Sequence, residues 1–142
     1  MTEDVHGLTV GTERRFQRTV TDATVTGFIE VSGDTNPLHS DAAYAARTRF
    51  QRPIAHGMIG ASFISAAIAT TLQPSAVMVY LSQDLQFRAP VYVGDVLTVV
   101  LTVKVADAKR NRVTVDTNVV NQDGTEVIRG EASILVDALT EA

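Results

Sequence analysis

The segment Gly33-Asp34-Thr35-Asn36-Pro37-Leu38-His39 concentrates groups able to move a proton. A carboxylate, Asp34, and an imidazole, His39, stand five residues apart across a loop that contains a proline. Pro37 fixes its own φ and pushes Asn36 towards an extended conformation, so the loop is stiff. A stiff loop can hold two side chains at hydrogen-bonding distance, where a carboxylate and an imidazole share one water molecule and take its proton. Asn36 carries both donors and acceptors and can tie the loop to nearby backbone. The bland readings stand beside this one: Asp34 also suits a plain Asx turn, and an isolated histidine such as His39 also suits a structural place.

A second group of interest is His56-Gly57-Met58, at the head of an apolar stretch. The first N–H groups of a helix lack internal partners and lie at its positive end. Glycine lets a ligand approach closely, so the Gly57 N–H is placed to stabilise negative charge on a carbonyl oxygen that becomes an enolate. One donor of that kind lowers the barrier by about 3 kcal/mol. His56 itself reads as a cap or packing residue rather than a base. Ser62 and Ser65 read as small packing residues that bond back to the preceding turn. Arg47, Arg49 and Arg52 read as a solvated face, with contact to a phosphate as the alternative; Arg88 sits beside Ala89-Pro90 at a strand end. His6, His39 and His56 are at no recognisable ligand spacing, so no metal site is expected. A P-loop, a GxGxxG and a GxSxG are absent from the sequence.

The elements that must position these groups follow from pattern. Arg14 to Val20 alternates and reads as a strand. Thr21 or Asp22 caps a helix that carries Val25, Phe28 and Ile29 and stops at Gly33. Ser40 or Asp41 caps a short second helix through Tyr44 and Ala46. Gly57 to Leu72 has no charged residue and is apolar or small on every side, the mark of a buried helix. It is shorter than the roughly 20 residues that span a bilayer. Ala76 to Phe87, Asp95 to Ala106, Arg112 to Asn121 and Glu126 to Val136 read as strands, with Asp123-Gly124 as a hairpin turn. Val113, Val115, Thr117 and Val119 make a period-2 face. Hairpin-like connections in a row predict an antiparallel meander. The fold class is therefore α+β: an antiparallel sheet wrapped around a central buried helix. Its open edges predict pairing between two copies, a homodimer.

Length and composition agree with one domain over 1–142, with 1–11 as a loosely held lead-in: 142 residues, 45% hydrophobic, are enough for one core. With no cysteine there is neither a disulfide nor a thiolate nucleophile. The net charge of −4, without a long basic run, argues against nucleic acid as partner. The first ten residues carry acids and no apolar run follows, unlike a secretory signal, so a cytoplasmic, membrane-free protein is expected.

The run Phe28-Ile29-Glu30-Val31-Ser32-Gly33-Asp34-Thr35-Asn36-Pro37-Leu38-His39, followed by Arg52-Pro53-Ile54-Ala55-His56-Gly57-Met58, resembles the MaoC-like (R)-specific enoyl-CoA hydratases. Leu85 to Asp95 is similar too, and the likeness extends from about Phe16 to Val136. It is nearest to the short bacterial hydratases that supply monomers for polyhydroxyalkanoate synthesis. The resemblance implies a hot-dog fold, a homodimer, and reversible hydration of trans-2-enoyl-CoA to (R)-3-hydroxyacyl-CoA. It implies Asp34 and His39 as the catalytic pair, Asn36 as their support, Gly57 as the amide that meets the thioester oxygen, and Ser65 as a serine near the site. CoA phosphates need positive partners, for which Arg47, Arg49, Arg52 and Arg88 are the candidates. No cofactor is expected, since CoA belongs to the substrate. Two other uses of such a frame stay open: an acyl-CoA thioesterase, revealed by release of free CoA thiol, and a non-catalytic acyl-CoA-binding protein, revealed by tight binding without turnover.

Overall fold

The computed structural model describes residues 3–141. In chain order the elements are β1 (Glu13–Thr19), α1 (Asp22–Ser32), α2 (Ala42–Ala45), α3 (Gly57–Ala67) continued by a π-helical turn (Ile68–Leu72), β2 (Ala76–Phe87), β3 (Val96–Asp107), β4 (Arg112–Val120) and β5 (Glu126–Ala138). The strands form one antiparallel sheet in the order β1-β3-β4-β5-β2. Along β4, Val113, Val115, Thr117 and Val119 face the core, as their alternation requires.

The ends of α1 are set by local chemistry. The Thr21 hydroxyl accepts from the Thr24 N–H at 3.1 Å while the Thr24 hydroxyl accepts from the Thr21 N–H at 3.0 Å, a reciprocal cap. Gly33 ends the helix in the left-handed region, φ 76°, and its N–H donates to the Ile29 carbonyl. The chain is thereby turned out of α1 directly into Asp34.

Three expectations need correction. The four long strands do not form one meander: β3, β4 and β5 do, but β2 pairs with β5 and β3 pairs with β1. The connection Arg88 to Asp95 carries the chain from the edge strand β2 across to β3, beside the opposite edge strand β1, bonding on the way to Val127, Ala55 and Val20. The apolar helix is not enclosed on every side. Ile59, Gly60, Phe63, Ile64 and Ala67 are buried, but Met58, Ser62 and Ser65 form an exposed face, because the sheet curves around one side only. Its α geometry also ends at Ala67. The Thr70 and Thr71 hydroxyls donate to the Ala66 and Ala67 carbonyls at 2.8 and 2.6 Å and compete with the backbone ladder there.

The third correction concerns the lead-in. Its first two residues lie outside the described part. Val5 and Leu8 bond each other through both backbone groups at 2.9 Å and are buried in the core, so this part of the segment is anchored rather than loose. The core also takes in Leu97, Val99, Leu101, Ile128 and Ile134 from the sheet. Gly60 brings α3 close to β5, since a Cβ there would stand 2.5 Å from Ile128 Cδ1.

Candidate active site

The turn after α1 is built from its own side chains. Asp34 Oδ1 accepts from the Asn36 N–H at 3.1 Å, and Asn36 Oδ1 accepts from the Leu38 N–H at 3.1 Å. The Ser32 hydroxyl, which donates to the Phe28 carbonyl, accepts from the Asp34 N–H. Asp34 is thus an Asx-turn residue through one oxygen only; its other oxygen, Oδ2, stands 4.0 Å from His56 Nε2. His39 Nδ1 lies 2.6 Å from the Ile54 carbonyl. A carbonyl only accepts, so Nδ1 carries the proton and the lone pair of a neutral ring is left at Nε2.

His56 joins this pair. Its ring is 3% exposed and packs on the His39 ring at 3.8 Å between centroids and on Phe28 at 4.7 Å. It occupies the N-cap position of α3 but makes no capping bond with its side chain. Packing was the right half of its reading and capping the wrong half. Burial pushes the His56 imidazolium pKa down, and the charge of His39 adds to this; the hydrogen bond to the Asp34 backbone and the Asp34 carboxylate work against it. Nothing in local spacing signals the stack, because His39 and His56 are brought together only by the return of the chain along Ile54.

Donor atoms of Asp34, His39 and His56 all lie within 4.8 Å of one another. The set has the composition of a metal site that sequence spacing did not foresee. The ring planes, however, are inclined by only 32°. Imidazole lone pairs lie in the ring plane, so two nearly parallel rings direct them past one another rather than at a single ion. The stack fits proton transfer better than coordination.

A cavity of about 590 Å³ opens beside the pair, walled by His39, His56, Gly57, Phe87, Arg49 and Arg88 among others. It joins His39 to the amino end of α3. Asp34 does not line it; its side chain is 47% exposed and its Oδ2 stands 4.0 Å from the His56 ring, which does. Gly57 is the first residue of α3 and presents an N–H without an intrahelical acceptor. The Phe87 ring lies over it: a Cβ at Gly57 would come within 2.9 Å of Phe87 Cδ1 and Cε1. His39 also borders a second cavity of about 370 Å³, with Arg52, Ser40 and Tyr92.

The arginines separate. Arg49 and Arg88 line the larger cavity. Arg52 lies over the Tyr92 ring at 3.7 Å and faces the smaller one. Arg47 is exposed and lines neither. Ser65 is exposed on the outer face of α3 and does not line the cavity at His39; this fold of a single chain does not bring it to the pair.

Comparison with known proteins identifies the family to which this fold belongs. The MaoC like domain matches residues 5–125. The chain is 39% identical over 127 residues to the (R)-specific enoyl-CoA hydratase of Aeromonas caviae, covering 89% of this chain and 94% of that one. It is 39% identical over 138 residues to a 3-hydroxybutyryl-CoA dehydratase of Methylorubrum extorquens, covering 95% and 85%. Among solved structures, the unliganded R-hydratase PhaJ1 of Pseudomonas aeruginosa superposes with a TM-score of 0.86 at 43% identity, covering 96% and 90%. The sheet and the helix it curves around are those of a hot-dog fold, and the chain belongs to the MaoC-like domain family.

Proposed function

We propose that the protein is an (R)-specific enoyl-CoA hydratase, which adds water to trans-2-enoyl-CoA to give (R)-3-hydroxyacyl-CoA. The observation that carries this reading is the Asp34–His39 turn held against the amino end of α3, with His39 and Gly57 on one cavity wall. The thioester oxygen accepts from the Gly57 N–H, which stabilises the enolate as it forms. Asp34 and His39 hold one water molecule. Asp34 takes one proton of the water as the hydroxyl adds to the β-carbon, and the pair passes that proton through the His39 Nε2 lone pair to the α-carbon, so that both groups end as they began. The roles of base and acid belong to the pair rather than to either member. The reaction moves no electrons to an acceptor and needs no cofactor. Arg49 and Arg88 are the partners proposed for the CoA phosphates, because they border the same cavity.

Asp34→Asn and His39→Ala test this on crotonyl-CoA, with chiral analysis of the product. Asn keeps an oxygen for the Asn36 N–H, so the turn survives and only acid–base capacity is lost. Each variant is expected to lose about 10²–10⁴-fold in kcat, the usual worth of a positioned acid or base. Near-native rates in both would end the proposal, and release of free CoA thiol would favour a thioesterase.

We also propose a homodimer joined along β2. One edge of β2 is unpaired among the described residues, and Val77, Val79, Tyr80 and Leu81 are exposed on it. Unpaired apolar edges seek a partner strand, and a second copy supplies an identical one. Sedimentation at micromolar concentration should give twice the chain mass; a monomer would refute it. No helix of the described residues is long and apolar enough to cross a membrane, and a cytoplasmic location is proposed. The A. caviae hydratase serves polyhydroxyalkanoate biosynthesis, and the same supply of (R)-3-hydroxyacyl-CoA is proposed here.

A further inference from the structure

We propose that His56 is a positioning residue for the Asp34–His39 pair, clamping their turn onto the start of α3 through a ring stack and one hydrogen bond. The stack holds the His39 ring at 3.8 Å, and the bond runs from His56 Nε2 to the Asp34 carbonyl at 3.2 Å. The same short segment also supplies the Ile54 carbonyl that fixes His39 Nδ1. Residues 54–56 therefore grip the turn at both ends, Asp34 and His39.

The choice of histidine is what argues for this role. The Asp34 carbonyl only accepts, so Nε2 carries the proton and Nδ1 is a bare acceptor. Nδ1 is buried and has no partner. Leaving such an atom unsatisfied carries a desolvation penalty that no bond offsets. Phenylalanine would fill the slot between Phe28 and His39 without that cost, so packing alone gives no reason for an imidazole. The hydrogen bond to Asp34 does.

The same geometry keeps the ring neutral. A second proton would sit on Nδ1 with no acceptor and set a cation against His39. The charged or titratable groups around His56 are the Asp34 carboxylate at 4.0 Å and His39, with Arg49 and Arg88 on the wall of the shared cavity; Phe28 adds none. Burial is the largest influence and favours the uncharged ring. His39 is then the imidazole of the stack that accepts and returns protons.

The kinetic part of the test rests on the hydratase reading; the exchange part does not. His56→Phe keeps a stacked ring and removes the donor, and His56→Gln restores an N–H donor on a flexible stem. With crotonyl-CoA, His56→Phe should lower kcat by up to about 10²-fold, the penalty of a small misplacement of reacting groups, with KM little changed. Its kcat–pH profile should shift, because the spacing of the Asp34–His39 pair changes. His56→Gln should recover much of both. Amide exchange at Asn36 and Leu38, whose N–H groups close the turn, should quicken in His56→Phe and less in His56→Gln. If the Phe variant does not fold, His56→Met, also without a donor, takes its place against His56→Gln. Unchanged exchange together with wild-type kcat in the donor-less variant would overturn the proposal. So would a parallel fall of kcat and thermal stability in every variant without rescue by Gln. A wild-type protein inert towards enoyl-CoA would instead defeat the hydratase reading, and exchange alone would then decide the role of His56.

Discussion

Replacing Gly57 by alanine and by proline separates the worth of its N–H from the worth of its missing side chain. Either substitution adds a Cβ 2.9 Å from the Phe87 ring, so either must push that ring aside; Phe87 is 53% exposed and has solvent to move into. Only proline removes the N–H. It is well suited to this position, because the first residue of a helix has no intrahelical acceptor for its N–H and a helical φ. The residue before a proline must be extended, and His56 already is, at φ −60° and ψ 136°. The steric cost is thus largely common to both variants and cancels in their ratio. What remains is one enolate-stabilising donor, about 10²–10³-fold in kcat. The assay is the loss of the enoyl-thioester absorbance as crotonyl-CoA is hydrated, with circular dichroism to confirm that α3 persists in both proteins. A Gly57→Pro enzyme within a few-fold of Gly57→Ala would show that the carbonyl is not polarised by this amide.

Two further outcomes follow from packing and charge. Gly60→Ala puts a methyl group 2.5 Å from Ile128 Cδ1 and should cost about 1–3 kcal/mol of stability by overpacking, read from urea unfolding; an unchanged midpoint would mean that Ile128 turns away freely. His56 binds its proton less readily in the folded chain than in the unfolded chain, whose pKa is 6.5. The unfolded state then takes up more protons below that pH, so stability is full above pH 6.5 and declines as pH falls through the lower folded value. The unfolding free energy of His56→Phe should fall less steeply over the same acidic range, and an equal slope would refute the assignment.

What could be read in advance was decided within a few residues. Thr21, Thr24 and Gly33 set the ends of α1 by contacts three or four positions away, and Asp34, Asn36 and Leu38 close their turn over two. Such chemistry is written in local order. The path from β2 to β3 was not, because Arg88 to Asp95 resembles a hairpin connection until the positions of β1 and β5 are known. The exposure of Ser62 and Ser65 depends likewise on which way the sheet curves. His56 is the sharpest case. Its neighbours in sequence suggest a helix start, whereas its partners Phe28, Asp34 and His39 lie 17 to 28 positions earlier. Val5 and Leu8 had too few apolar companions to suggest burial, and their place in the core comes from pairing with each other.

The division of labour between the two oxygens of Asp34 has a stereochemical consequence. With Oδ1 bonded to the Asn36 amide, rotation of the carboxylate is restrained, and the nucleophile is presented from one side. A flat alkene offers two mirror-related faces, and a restrained acceptor addresses one of them once the thioester is held at the amino end of α3. Under the proposed reaction, the handedness of the product alcohol begins in an ordinary turn bond made before any substrate arrives.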